Sequence, residues 1–314
     1  MKMMKKLFSL CLIILTLFLV IFTDLSIEKK VESNNEELHK TKVINDITLK
    51  EVEWLTVEKK NYIEIDYEGA NIRTRYNTPE GFQRETIKEG SFADYLANKK
   101  LKNYGYKALY YNGRIKSNKN IYDSVLDYNI GNQNLHQAAD AIMFLKADYL
   151  FNKGFYNDIS FSFVNGFKAE YSKWMAGYRI KVRDNEASYH KCKEQICTYE
   201  DFLKYMNMIF AYCSTISLKK DLTPVRIHEM QVGDVFINSE TVGHAAIVVD
   251  MAINYETGEK LFMLAQSGTP AQQTQILINI NDATISPWYS IDFGNELITP
   301  EWTFSSTELM RFKK

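Results

Sequence analysis

Across residues 233–267 three apolar runs, 235–237, 245–249 and 261–265, alternate with short polar segments. Each run has strand length and is bounded by Gly, Asn, Asp or Ser. The polar segment 254–259 (NYETGE) reads as a turn, so the second and third runs are expected to pair as an antiparallel hairpin. His244 opens the second run, while Gln266 and Ser267 close the third. In a hairpin the start of one strand lies beside the end of its partner. The pattern therefore predicts an imidazole, an amide and a hydroxyl gathered at one end of a sheet.

A different period marks the helices. Leu135, Ala138, Ala139, Ile142, Leu145 and Tyr149 recur at three- and four-residue spacing after Asn134, a good N-cap. In such a helix His136 and Asp140, four apart, are neighbours on one face. A long helix is expected over 198–218, where Phe202, Met206, Ile209 and Cys213 repeat and Thr198 with Asp201 resembles a capping box. Ser91 caps a shorter one, SFADYLANK. The segment 167–178 (FKAEYSKWMAGY) is also helical in spacing, with Tyr171, Trp174 and Tyr178 in register for one side. Asn112-Gly113, between 108–111 and 114–116, is the strongest hairpin signal in the chain. Further strands are expected over 123–130, 159–163, 178–182 and 274–280. Helices interspersed with hairpin-linked strands predict an α+β fold, an antiparallel sheet with helices packed on it.

At the N-terminus Lys2, Lys5 and Lys6 precede an apolar run from Leu7 to Phe22. This is the pattern of a signal anchor, here 1–23, and the flanking lysines place the rest of the chain outside the membrane. No small-x-small cleavage site follows, which favours retention; cleavage would make the protein secreted. Residues 24–60 are polar and read as a solvated stalk, leaving 61–314 as a single α+β domain. Lys and Arg number 38 against 39 Asp and Glu, so no global field draws nucleic acid. In an exported chain Cys192 and Cys197 either close a small disulfide loop or stay as free thiols, and Cys213 belongs to a core pattern. No metal or other cofactor is expected.

No HExxH, GxSxG, phosphate-binding loop, CxxC or glycine fingerprint is present. With five His in 314 residues, His244 is the best-placed general base; the alternative is a strand-edge His bonded to backbone. The segment GDVF…GHAAIVVD…LFMLAQS resembles the sheet of NlpC-type peptidoglycan endopeptidases and other papain-like amidases. That resemblance implies a papain-like core, His244 as general base and Gln266 as the residue orienting it. The blocks TPEGFQR, SFADYL, ADAIMFLKADYL, NGFKAEYSKWMAGYR, GDVFI, GHAAIVVDMA, LAQS, PAQ, SPWY and TPEWTF together resemble one uncharacterised bacterial family of secreted or surface-attached proteins. There a Cys is usual near the first alanine of the helix start LHQAADAIM, where this chain has Ala138. The resemblance then implies a cell-envelope amidase or peptidase-like domain, degenerate at Ala138. The spacing adds His136 and Asp140, as an imidazole-orienting pair or else a surface or capping pair, and Gln137 and Ser267 complete the candidate site. The alternative is a non-catalytic surface module binding cell-wall peptide or glycan, with Trp174, Tyr178, Trp288 and Tyr289 lining a groove.

Overall fold

The computed structural model describes residues 63–117, 120–240 and 243–313, all within the unit Asn61–Lys314. The expected anchor (1–23) and stalk (24–60) lie outside the described residues. Among the described residues no helix is long and apolar enough to cross a membrane.

In chain order the helices are α1 (Ile72–Arg75), α2 (Phe92–Ala97), α3 (Ala138–Asn152), α4 (Tyr171–Met175), α5 (Tyr199–Tyr212) and α6 (Thr215–Lys220). The strands are β1 (Gln83–Arg84), β2 (Tyr122–Val125), β3 (Ser160–Ser162), β4 (Lys168–Glu170), β5 (Tyr178–Arg183), β6 (Glu186–Lys191) and β7 (Leu222–Pro224). They continue with β8 (Val235–Asn238), β9 (His244–Ile253), β10 (Lys260–Gln266), β11 (Gln275–Leu277), β12 (Tyr289–Ser290), β13 (Glu296–Ile298), β14 (Thr303–Ser305) and β15 (Leu309–Phe312). One antiparallel sheet runs β2-β11-β10-β9-β8-β15-β7, with β1 added to β9 and β12 to β10. The architecture is α+β.

The three apolar runs are β8, β9 and β10, and they lie side by side in the middle of this sheet. The expected hairpin forms: Lys260 faces Ile253 and Leu261 faces Ala252, with the turn closed by Asn254 N–H donating to Glu259 O at 2.8 Å. Along β9 the side chains of Ala245, Ile247 and Val249 enter the larger core, which also holds Ile142 and Leu145 of α3. Ala246, Val248 and Met251 enter a second cluster on the opposite face, with Phe236, Phe262 and Phe304. Both faces are covered, so β9 is continuously apolar instead of alternating.

Three segments differ from the sequence expectation. The long helix over 198–218 is broken: Cys213 is extended (ψ 170°) and Ser214 caps a new helix, its side chain accepting from Ile216 N–H at 3.2 Å. Local hydroxyl capping here competes with helix continuation. The segment 167–178 starts as a strand, because Ser160–Ser162 pairs with Lys168–Glu170, and its helix is only Tyr171–Met175. Gly177 ends that helix at φ +92°, and a Cβ there would meet Lys193 O at 2.1 Å. No larger residue fits this crossing. Finally, α3 starts at Ala138 with Gln137 as N-cap, three residues later than Asn134 suggests. Asn134 turns away and accepts from Ala271 N–H at 2.7 Å.

Candidate functional site

β9 and β10 bring His244 and Gln266 together at one end of the sheet. His244 Nε2 lies 2.8 Å from Gln266 Oε1, and both residues are buried. Gln266 Nε2 donates to Glu301 Oε2 at 2.8 Å, and Lys116 Nζ donates to the same oxygen at 2.8 Å. Lys116 is only 2% exposed, and its ammonium also donates to Gln272 Oε1 at 2.5 Å. This network fixes which way the Gln266 amide points, since the reversed amide would aim its oxygen at a carboxylate. An amide oxygen only accepts, so the neutral His244 carries its proton on Nε2 and Nδ1 is the basic nitrogen.

Trp302 and Phe304 flank the imidazole, with ring centroids 5.2 and 6.0 Å away. Glu301 and Trp302 sit at the tip of the β13–β14 hairpin, where Thr299 N–H donates to Trp302 O at 2.8 Å. Burial holds the His244 pKa below its ordinary value; the Gln266 hydrogen bond and the Glu301 charge oppose this, and the Lys116 charge adds to it. The imidazole is therefore neutral at pH 7.

A cavity of about 320 Å³ lies beside this end of the sheet. It is lined by Gln137, Ala138 and Asp140 from the start of α3, Cys213 and Thr215 from the α5–α6 junction, and Gly243, which precedes His244. A Cβ on Gly243 would meet Thr215 Oγ1 at 2.0 Å, so the approach to β9 is pressed against α6 and requires glycine. Asp140 Oδ2 accepts from Gln137 N–H at 3.0 Å, while Oδ1 is buried and has no hydrogen-bond partner among the described residues. Burial lifts the Asp140 pKa to about 8, so the carboxyl is mostly protonated at neutral pH.

Ala138 is the first residue of α3, and no thiol stands at that position. Cys213 is the cysteine lining the cavity, and its Sγ donates to Ser162 O at 3.3 Å. Burial pushes the Cys213 thiol well up, which keeps it protonated and inert. Cys192 and Cys197 are free and exposed, so the small disulfide loop is not formed. Among the described residues no group of three or more His, Cys, Asp or Glu is placed to hold a metal ion.

Several proposed site residues lie elsewhere. His136 and Asp140 do not pair: His136 precedes the helix, where the backbone is still extended, so the four-residue spacing places nothing on a shared face. His136 is 1% exposed, lies 3.0 Å from the Tyr128 hydroxyl and packs against Phe144 and Phe210. Burial lowers its pKa to about 3, so it is a neutral core residue. Ser267 is buried, its hydroxyl 2.7 Å from Gln272 O and 3.1 Å from His136 O, which leaves it tied to backbone. Gln137 reaches across the cavity rim, its Oε1 accepting from Thr269 Oγ1 at 3.0 Å.

Among the described residues Trp174, Tyr178, Trp288 and Tyr289 do not line one exposed groove. Trp174 is buried and donates from Nε1 to Asp201 Oδ2 at 2.8 Å; Trp288 is 0% exposed and Tyr289 2%. Tyr178 is half-buried on the β5–β6 hairpin beside Tyr189. Aromatic side chains bury the largest apolar areas, and Trp174, Trp288 and Tyr289 are buried in the core. Sequence reasoning did not reach Glu301 and Lys116, which meet across 185 positions. Their only local signals are a Glu inside the block TPEWTF and a Lys just after the Asn112-Gly113 turn.

Residues 72–311 match the model of a family described as a domain of unknown function (4846). No curated protein and no solved structure gives a match.

Proposed function

The chain belongs to this family, the domain of unknown function (4846), and from the site geometry we propose a papain-like amidase cleft that binds its ligand without cleaving it. The observation that carries the proposal is the His244 Nε2–Gln266 Oε1 hydrogen bond, which leaves Nδ1 as the base; Gly243, the residue before His244, lines one cavity with Ala138 at the start of α3. In the amidase scheme a thiol at a helix start is activated by the helix dipole and an adjacent imidazole, itself oriented by a third group. Base and orienter are present here. The helix start carries a methyl group, and the nearest thiol in the cavity is held protonated by burial.

A cleft with this architecture but no nucleophile is a binding site. The ligand we propose is a cell-wall peptide or glycan, met outside a membrane by a domain held there through the segment 1–23.

The test is to restore the missing group. In a chain whose Cys192 and Cys197 are replaced by Ser, Ala138→Cys is expected to alkylate at least about tenfold faster at pH 6 than an ordinary thiol, because its pKa is depressed. His244→Ala in the same background should return the rate to ordinary. An unexceptional rate for Ala138→Cys, with the fold intact, removes the amidase plan.

A further inference from the structure

We infer that Glu301 and Lys116 are positioning residues for His244, acting through the Gln266 amide to hold the imidazole with its proton on Nε2 and Nδ1 free. This rests on the reading of His244 as the base of the site. Gln266 is 2% exposed and both ends of its amide are committed, the oxygen to His244 and the nitrogen to Glu301. The orientation of that amide is thus set by whatever holds the Glu301 carboxylate. Lys116 does so, by an ion pair of 2.8 Å in which the lysine side chain is almost wholly out of water.

An ion pair whose ammonium is taken out of water adds little net stability over apolar side chains of the same volume. Its physical effect here is directional. The ammonium is held at a second point by Gln272 Oε1, so the carboxylate it faces has a fixed place. Gln275 Nε2 in turn donates to Gln272 Oε1 at 2.9 Å, which anchors the chain of bonds in β11. The same hairpin tip that carries Glu301 also carries Trp302, whose ring flanks the imidazole. One four-residue turn therefore supplies both the hydrogen-bond relay and the wall against which the ring rests.

Glu301 and Lys116 are also the charged groups whose fields reach His244, and they act with opposite sign. The other described neighbours packed on its ring, Trp302 and Phe304, carry no charge. This separates a positioning relay from general support of the fold. The experiment is a pH titration of the full chain labelled with ¹⁵N-histidine, read by long-range ¹H–¹⁵N correlation, with His244 assigned from its loss in His244→Gln.

The wild type should show the Nε2–H pattern when neutral. Glu301→Gln, nearly the same shape, should lower the His244 midpoint, a fall in proton affinity of about threefold to tenfold for a unit charge at this remove. Lys116→Met should raise it by a similar factor, and Lys116→Gln serves where the Met variant does not fold. An Nδ1–H pattern in the wild type, unmoved midpoints, or shifts of the same sign in both variants would overturn the inference. No ligand and no introduced thiol enters the measurement. Opposite shifts together with an ordinary Ala138→Cys thiol would keep the relay and reject the amidase plan; the reverse pair of results would reject the relay alone.

Discussion

Trp288→Ala is expected to cost about 3–5 kcal/mol of folding stability, the range for removing a buried tryptophan. The ring is 0% exposed, its Nε1 donates to Asn77 O at 3.0 Å, and the Arg84 guanidinium lies over it at 5.6 Å. Arg84 in turn pairs with Asp250 of β9 at 2.6 Å, so the indole supports an ion pair that is itself largely buried. Truncation leaves a cavity, strands the Asn77 carbonyl and loosens this pair. Trp288→Phe keeps most of the packing and should cost less, about 1–3 kcal/mol, chiefly from the unpaired carbonyl. Urea unfolding monitored by circular dichroism measures both. A Trp288→Ala protein within about 0.5 kcal/mol of wild type, the usual range for surface substitutions, would place the indole on a surface and restore the groove reading.

Asp140→Asn is expected to stabilise the protein increasingly as the pH rises. The folded Asp140 has a pKa of about 8 against an ordinary value of 3.8, so between these values the folded state holds a proton that the unfolded state has lost. Stability then falls with rising pH, because it rises only where the unfolded state binds more protons. The loss runs at about 1.4 kcal/mol per pH unit across the window and levels off once both states are ionised. Asn does not titrate and can still accept the Gln137 N–H bond that starts α3. The stability gap between variant and wild type should therefore widen by about 4 kcal/mol from pH 5 to pH 8. Paired urea titrations at the two pH values decide it. A constant gap would mean that Asp140 is ionised in the cavity and has found a partner there.

How much of this was legible in the chain differs from element to element. The β9–β10 hairpin was, because a continuous apolar run, a polar turn and a second run carry their own pairing instructions. So was the meeting of His244 with Gln266, which follows from hairpin geometry alone. The helix α3 was visible by its period, but its first turn was not: Asn134 and Gln137 are both acceptable caps, and the choice falls to Ala271, over a hundred residues away, which engages Asn134. That three-residue difference separates His136 from Asp140 and puts Ala138 at the helix start. The break at Cys213 was hidden because Phe202, Met206, Ile209 and Cys213 keep helical spacing up to the very residue where the backbone leaves it.

What the sequence by itself determined is the set of strongly patterned elements, the alternation of helix and antiparallel hairpin, and the meeting of His244 with Gln266. Local physics suffices for these, since strand period, turn chemistry and hairpin closure act over a few residues. What only the tertiary structure decided is which polar and aromatic groups stand in the site. The stripe holding Trp174 reads more readily as core than as a binding face and Trp288 reads as part of a groove, while in the fold both rings are buried. Lys116 and Glu301 carry no local signal of a shared place; the sheet and the β13–β14 hairpin bring them together behind Gln266. A charge's partner and a ring's exposure depend on chain segments far apart in sequence, and no local pattern encodes them.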